Sequence, residues 1–234
     1  LRSFAGRPLS MWSRNNRLPV LATLALTLMA AAIALIFFYA PLDEDGLNQK
    51  IFYFHVPIAF TAYACFGWGG WKALRHLWKG DETADLESYV AIHLGVIFGL
   101  LTLVTGSIWA RYRWGHWWVW SEPTLVSFLI VFLLYATYQP LRFAIEDPER
   151  QARTASVFAI TAGAFVPMNF IAVRLASAYL HPRVLGNTSN LPGPMALTFV
   201  VSLVAIGLLF ATLCKYELTA KHTRSQLRAL RRRL

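Results

Sequence analysis

The sequence contains only two cysteines in 234 residues, Cys65 and Cys214, and it has no Cys-x-x-Cys pair. Two distant cysteines are too few for a thiolate zinc site, and their spacing does not suit thiol redox chemistry. Both lie in apolar stretches, so we interpret them as small side chains that fill the interior. The sequence therefore argues against a disulfide scaffold and against a thiol enzyme.

Charged residues are also scarce, at 15% of the chain against 56% apolar residues. They lie in short clusters between apolar runs of about 20 residues, the length of a helical membrane crossing. Inside a bilayer the backbone must satisfy its own hydrogen bonds, so these runs are expected to be helices. We predict an all-α polytopic membrane protein with six transmembrane helices, at residues 19–40, 51–72, 89–110, 123–144, 155–177 and 194–214.

Positive charge is distributed unevenly between the two sides of these spans. If the N-terminus is cytoplasmic and the spans alternate, 17 lysines and arginines fall on the inner side and 5 on the outer side. The positive-inside rule then predicts that both termini are cytoplasmic. The cytoplasmic (inner) membrane is the expected location. The net charge of +10 is thus explained by membrane topology rather than by nucleic-acid binding.

The predicted organisation has three parts. Residues 1–18 form a cytoplasmic N-terminal segment, residues 19–214 a six-helix membrane domain, and residues 215–234 a basic cytoplasmic tail that contacts membrane lipids or a partner. The membrane domain includes an outer tryptophan-rich segment at residues 109–127. Because no connection is long enough for a catalytic or ATP-binding domain, we expect a non-enzymatic subunit whose energy source resides in a partner.

The run Trp-Gly-His-Trp-Trp-Val-Trp-Ser-Glu at residues 114–122 is the densest aromatic feature of the chain. Interface anchoring needs fewer indole rings, whereas several flat rings can form a wall for a planar ligand. We predict that this run lies at the outer interface as a short amphipathic ledge, with Ser121 capping the fourth helix and Glu122 in its first turn. The tryptophans are Trp114, Trp117, Trp118 and Trp120.

Three histidines have informative positions. His55 lies about one helical turn below the outer end of the second span, beside Pro57, and His181 lies just beyond the outer end of the fifth span. Both are therefore predicted at the depth of the tryptophan run. His93 lies within the third span, where we interpret it as a neutral histidine that hydrogen-bonds to a neighbouring helix.

Aromatic rings and two histidines at one depth suggest haem as the ligand. A porphyrin stacks on aromatic side chains, its iron accepts imidazole nitrogens, and its propionates pair with arginine. The outer side offers His55 and His181 to iron, and Arg111, Arg113 and Arg183 to propionates. Two axial histidines leave no open position for oxygen, which favours the carriage of non-covalent b-type haem. The residues alone leave open an aromatic interface belt that binds no cofactor.

The same run resembles the motif Trp-Gly-x-Trp-Trp-x-Trp-Asp of haem-handling proteins in cytochrome c assembly. It is most similar to that of the cytochrome c maturation protein C family, also called haem exporter protein C. The resemblance extends to residues 51–57, with their His-Val-Pro segment, and to residues 103–109 and 179–181. One departure is that Ser121 stands where the family has aspartate, with Glu122 next to it.

The resemblance implies a site and a set of partners. His55 and His181 would be the axial ligands, with the tryptophan motif against the ring at the periplasmic face. The protein would work with the ATPase and permease subunits of an ABC-type exporter and with a small membrane subunit. It would pass haem to a periplasmic haem chaperone. Two other classes stay open: a haem lyase-type member that attaches haem to apocytochrome c, and a cofactor-free structural permease subunit.

Overall fold

The computed structural model describes residues 17–175, 180–181 and 191–231, and this part of the chain is helical with no strand. Six helical segments in it are long and apolar enough to cross a membrane, which confirms the predicted all-α, six-span class. The α-helices are α1 (Arg17–Ala34), α2 (Phe52–Lys79), α3 (Glu82–Trp114), α4 (Pro123–Ala136), α5 (Tyr138–Phe143), α6 (Pro148–Leu175) and α7 (Gly193–Arg231).

The helices differ from the predicted spans mainly in length. A 3₁₀ turn, Gly46–Ile51, leads into α2, which continues to Lys79 beyond the apolar run. At the other end of the chain α7 crosses the expected boundary at residue 214 without a break. Lys215 and Leu218 are buried there, because one face of the helix still packs on the bundle after the apolar run has ended.

Helix α2 lies at the centre of the bundle and packs against α3, α6 and α7, while α1 packs against α7. Small residues let these helices approach closely, as is common in membranes. A Cβ atom on Gly95 of α3 would lie 2.7 Å from the ring of Phe66 on α2. The same ring stacks against Tyr135 of α4, with the two ring centroids 4.0 Å apart.

The first half of α3 is joined to three neighbouring helices by polar contacts, and we call this region the paired end of the bundle. Two of the contacts are ion pairs, Glu87–Lys72 of α2 at 2.5 Å and Asp85–Arg142 of α5 at 2.6 Å, and the third is a hydrogen bond between His93 and Glu217 of α7 at 3.0 Å. The contact between His93 and Glu217 confirms that this histidine hydrogen-bonds to a neighbouring helix.

The tryptophan run begins where α3 ends, at the opposite end of the bundle from these ion pairs. A π-helical segment, Leu35–Tyr39, continues α1, and Lys50 donates a hydrogen bond to the carbonyl of Ala40, which ends this segment. Met195 at the start of α7 contacts Gln49. These contacts place the end of the first span and the start of the sixth span on the side of the tryptophan run. Both ends of the described chain, at the far ends of these two spans, therefore lie on the side of the paired end, as an even number of crossings requires. The cytoplasmic location of that side stays a prediction.

Candidate functional site

A glycine ends α3 and starts the tryptophan run. Gly115 has φ +76°, a left-handed conformation that commonly terminates helices and that suits glycine. Arg111 donates a hydrogen bond to the carbonyl of Gly115 and so stabilises this turn. Residues 116–122 then follow an irregular path to α4.

The cap of α4 is Glu122, not Ser121 as the sequence predicted. Pro123 occupies the first helical position, where its missing N–H costs nothing, so the capping position falls on the residue directly before it. The Glu122 carboxylate accepts a hydrogen bond from the backbone N–H of Thr124 at 3.3 Å. Glu122 is only 2% exposed, and its carboxylate also accepts a hydrogen bond from the backbone N–H of Leu180.

A cavity opens beside the tryptophan run, between α2, α3, α4 and α6, and we call it the aromatic cavity. Its volume is about 400 Å³, within the ~300–1,000 Å³ typical of small-molecule sites. Both predicted ligand histidines, His55 and His181, line it. The aromatic residues that line it include Phe60, Tyr63, Trp109, Trp114, Trp118 and Phe128.

The two histidines come from distant parts of the chain and meet in this cavity. His55 lies in the first turns of α2, and His181 follows α6. Their ring centres are 6.3 Å apart, and their planes are inclined by 49°. With metal–nitrogen bonds of about 2 Å on each side plus the ring radii, two imidazoles on opposite sides of one metal atom have centres about 6 Å apart. The observed separation therefore suits a shared metal atom.

The His55 ring is oriented by α3. Its Nδ1 lies 2.9 Å from the hydroxyl of Thr105, and this hydroxyl donates its proton to the carbonyl of Leu101 at 2.8 Å. Because a hydroxyl has one proton, the oxygen accepts from Nδ1–H, and Nε2 keeps its lone pair. Gly106 makes room for the ring, since a Cβ atom there would lie 2.9 Å from Cε1 of His55.

The four predicted tryptophans divide into two pairs. Trp114 and Trp118 line the aromatic cavity, whereas Trp117 and Trp120 are 61% and 73% exposed and lie outside it. Trp109, one turn before the end of α3, contributes a further ring, which meets Trp114 edge-on at a centroid distance of 5.2 Å. The irregular backbone after Gly115 separates rings that are neighbours in sequence.

The predicted propionate partners are also placed differently from expectation. Arg111 binds the Gly115 carbonyl, and Arg113 forms an ion pair with Asp45 at 2.6 Å, so neither side chain lines the cavity. Arg183 lies outside the described residues. Arg174 of α6 is the only lysine or arginine that lines the cavity within the described part of the chain.

Three polar groups at the cavity have unused hydrogen-bonding capacity. Gln49 Oε1, Trp118 Nε1 and Asn169 Nδ2 are buried and have no hydrogen-bond partner among the described residues. All three residues line the aromatic cavity. The Asn169 side chain is held in place by Tyr63, which donates to its Oδ1 at 2.8 Å. Buried polar groups are rarely left unpaired, so the cavity has the polar atoms that a polar-edged ligand would need.

Sequence reasoning did not assign a site role to Thr105, Trp109, Asn169 or Arg174. The stretch at residues 103–109 carried a signal, because the family resemblance included it, but nothing in it distinguished Thr105 as a partner of His55. Asn169 and Arg174 carried a weaker signal, as polar residues near the outer end of an apolar span.

The fold and this cavity together define a class: a six-span membrane protein with an aromatic cavity, lined by two histidines, near one end of the bundle. The sequence matches the Heme exporter protein C family over residues 1–233. Relatives named Heme exporter protein C include one from Rhodobacter capsulatus, 30% identical over 94% of this chain and 90% of its own length. Another, from Bradyrhizobium diazoefficiens, is 31% identical over 82% of this chain and 73% of its own. The relative from Escherichia coli K12 is 29% identical over 61% of this chain and 58% of its own length.

This chain therefore belongs to the haem exporter protein C family.

Proposed function

We propose that this protein binds b-type haem non-covalently in the aromatic cavity and delivers it to a periplasmic haem chaperone during cytochrome c biogenesis. His55 and His181 are the axial ligands in this proposal. The observation that carries it is the meeting of these two imidazoles, 6.3 Å apart, over a single aromatic cavity. Relatives that bear the name Heme exporter protein C support a role in haem export.

The donor set fits this group. Haem supplies an iron with two axial positions that imidazole nitrogens fill. His55 offers Nε2 because Thr105 holds Nδ1, and Trp114 and Trp118 offer flat surfaces to the porphyrin. Arg174 is suited to a propionate, since Arg113 is already neutralised by Asp45.

The site supports carriage of haem rather than a reaction on it. Two histidine ligands fill both axial positions, so no position is left for oxygen or for substrate. The cavity also lies near the end of the bundle, where a second protein can reach it. We propose that ATPase and permease subunits of an ABC-type exporter and a small membrane subunit complete the assembly, with the aromatic cavity facing the periplasm.

The test is the visible absorption spectrum of the protein purified in detergent after haem supplementation. We expect a Soret band and the sharp α and β bands of low-spin, six-coordinate haem in the reduced state. His55→Ala and His181→Ala should each remove one axial ligand and shift the spectrum toward the high-spin, five-coordinate form. His116→Ala is the matched control, because His116 is an exposed histidine of the same tryptophan run.

The outcomes separate the rival classes. A protein that takes up no haem would support the cofactor-free permease subunit, and the proposal would be wrong. Haem that becomes covalently bound to apocytochrome c in the presence of this chain alone would support the lyase class. If His116→Ala shifts the spectrum and His181→Ala does not, haem binds the chain but the ligand assignment fails.

A further inference from the structure

Glu122 joins the tryptophan run to the second ligand histidine. One carboxylate oxygen, Oε1, accepts from the backbone N–H of Thr124 and caps α4. The other oxygen, Oε2, accepts a short hydrogen bond from the N–H of Leu180 and a second one, at 3.4 Å, from the N–H of His181. A single buried carboxylate therefore connects α4 to the two residues at the ligand position.

We propose that Glu122 is a positioning residue that holds the backbone of His181 so that its imidazole faces His55 across the aromatic cavity. This inference rests on the proposed haem function and deepens it. Glu122 does not itself line the cavity, so it acts through His181 and not on the ligand.

The hydrogen-bond donors explain why a carboxylate stands at this position. Among the residues that the structure describes, the Glu122 carboxylate accepts from the backbone N–H groups of Thr124, Leu180 and His181, so both of its oxygens act as acceptors. An ionised carboxylate has two acceptor oxygens and no donor, and hydrogen bonds to it are stronger than those between neutral groups. An amide side chain would place an NH₂ group against one of these donors.

The length of the side chain matters as much as its charge. Aspartate is among the best N-cap residues, so it would preserve the cap of α4 at this position. It is one methylene shorter, and so it cannot bridge from the cap to Leu180. Glu122→Asp therefore separates the two roles: it keeps the helix cap and removes the link to His181.

Loss of the hydrogen bonds from Leu180 and His181 to Glu122 should change the visible spectrum of haem bound in the aromatic cavity. When the backbone of His181 is released, its imidazole is no longer held opposite His55, and a fraction of the haem loses its sixth ligand. From the strength of hydrogen bonds to charged groups, we expect Glu122→Asp to raise the ratio of five- to six-coordinate haem by about tenfold. Added imidazole should restore the low-spin spectrum, as it should in His181→Ala, because it fills the released position.

Asp81 provides the matched control at the other end of the bundle. It caps α3 in the same way, since its carboxylate accepts from the N–H groups of Thr83 and Ala84. It has no contact with the aromatic cavity. Asp81→Ala should lower thermal stability without changing the coordination state of bound haem.

A second measurement needs no haem. In the haem-free protein, hydrogen–deuterium exchange of the peptide that contains Leu180 and His181 should be faster in Glu122→Asp than in wild type. The peptide at the start of α4 should exchange at the wild-type rate, because the cap is kept. This measurement also detects a variant that fails to fold, since exchange would then rise throughout the chain.

The inference is overturned if Glu122→Asp keeps both the wild-type spectrum and the wild-type exchange near His181 while His181→Ala still shifts the spectrum. It is also overturned if Asp81→Ala shifts the spectrum as much as Glu122→Asp, or if exchange in Glu122→Asp rises throughout the chain. If His181→Ala itself leaves the spectrum unchanged, the proposed function loses its ligand, and this failure is distinct from that of the link.

Discussion

The two ends of the helix bundle differ in how completely their buried polar side chains are paired. At the paired end, Asp85 meets Arg142 at 2.6 Å, and the same guanidinium is bound by the hydroxyl of Tyr138 at 3.1 Å. At the aromatic cavity, buried polar atoms of Gln49 and Asn169 have no partner within the described part of the protein. One end matches its polar groups internally, and the other keeps some of them available.

This difference separates the contacts that hold the helices together from the polar groups that the proposed ligand would meet. A buried ion pair resists separation of the two helices that it joins. Removing one partner is costly because it leaves the other charge uncompensated. An unpaired donor or acceptor in a cavity lowers stability unless a ligand or water meets it. The paired end is therefore expected to control folding, and the cavity end to control binding.

The largest effect is expected from breaking the paired end. Arg142→Ala should lower the free energy of unfolding by up to about 3 kcal/mol, because Asp85, whose side chain is 14% exposed, loses the partner of a largely buried charge. Thermal unfolding in detergent measures this change. The double variant Asp85→Asn with Arg142→Gln should recover part of the loss. An unchanged melting temperature in Arg142→Ala would show that the paired end does not stabilise the bundle, and it would contradict the comparison between the two ends.

The next effect concerns the partner of the ligand histidine. Thr105→Val replaces the hydroxyl that accepts from Nδ1–H of His55 with a methyl group of similar size. Loss of such a partner should weaken haem binding by about 10–100-fold, as measured by haem transfer to an acceptor protein. Thr161→Val is the control, since the Thr161 hydroxyl donates to the carbonyl of Val157 within α6 and Thr161 does not line the aromatic cavity. Equal losses in both variants would argue against a role for Thr105 in orienting the ring.

A smaller effect should follow from a single added methyl group. Gly106→Ala places a Cβ atom 2.9 Å from His55 and must push the ring toward the cavity. Because the cavity gives the ring room to move, the cost should be about 1 kcal/mol, the lower end for overpacking. The expected signs are a shifted Soret band and about fivefold weaker haem binding. Gly207→Ala, which meets nothing within 4 Å, should leave both unchanged.

The smallest effect is expected from the charge at the cavity. Arg174→Gln should weaken haem binding by only about two- to threefold, because the side chain is exposed and such pairs contribute under about 1 kcal/mol. Its contribution should disappear at high salt. Arg113→Gln tests the alternative partner and should have no effect on affinity. A larger loss in Arg113→Gln than in Arg174→Gln would restore the assignment made from the sequence.

The fold was largely predictable because each membrane-spanning segment must be apolar and must satisfy its own backbone hydrogen bonds, whatever its neighbours are. Apolar length and scarce charge gave six spans, and all six are present among the described residues. The ends of α2 and α7 were not predictable in the same way. Beyond the hydrocarbon thickness, a helix continues or stops according to its neighbours, as the buried Lys215 illustrates.

The candidate site was predictable by residue type but not by position. His55 and His181 stood out because a histidine near an apolar span is rare and conspicuous. The sequence could not show that Trp114 and Trp118 line the cavity and Trp117 does not, since all three are the same residue type within one short run. Their separation depends on the turn at Gly115 and on an irregular backbone whose path has no periodicity.

The sequence by itself determined the class of protein, the number of crossings and the types of side chain available to a ligand. Those properties follow from hydrophobicity and charge, which act locally on each stretch of chain. Only the tertiary structure decided that Thr105 orients His55 and that Glu122 reaches the backbone of His181. Such contacts join residues 50 and 59 positions apart, and they exist only once the helices have taken their packed register.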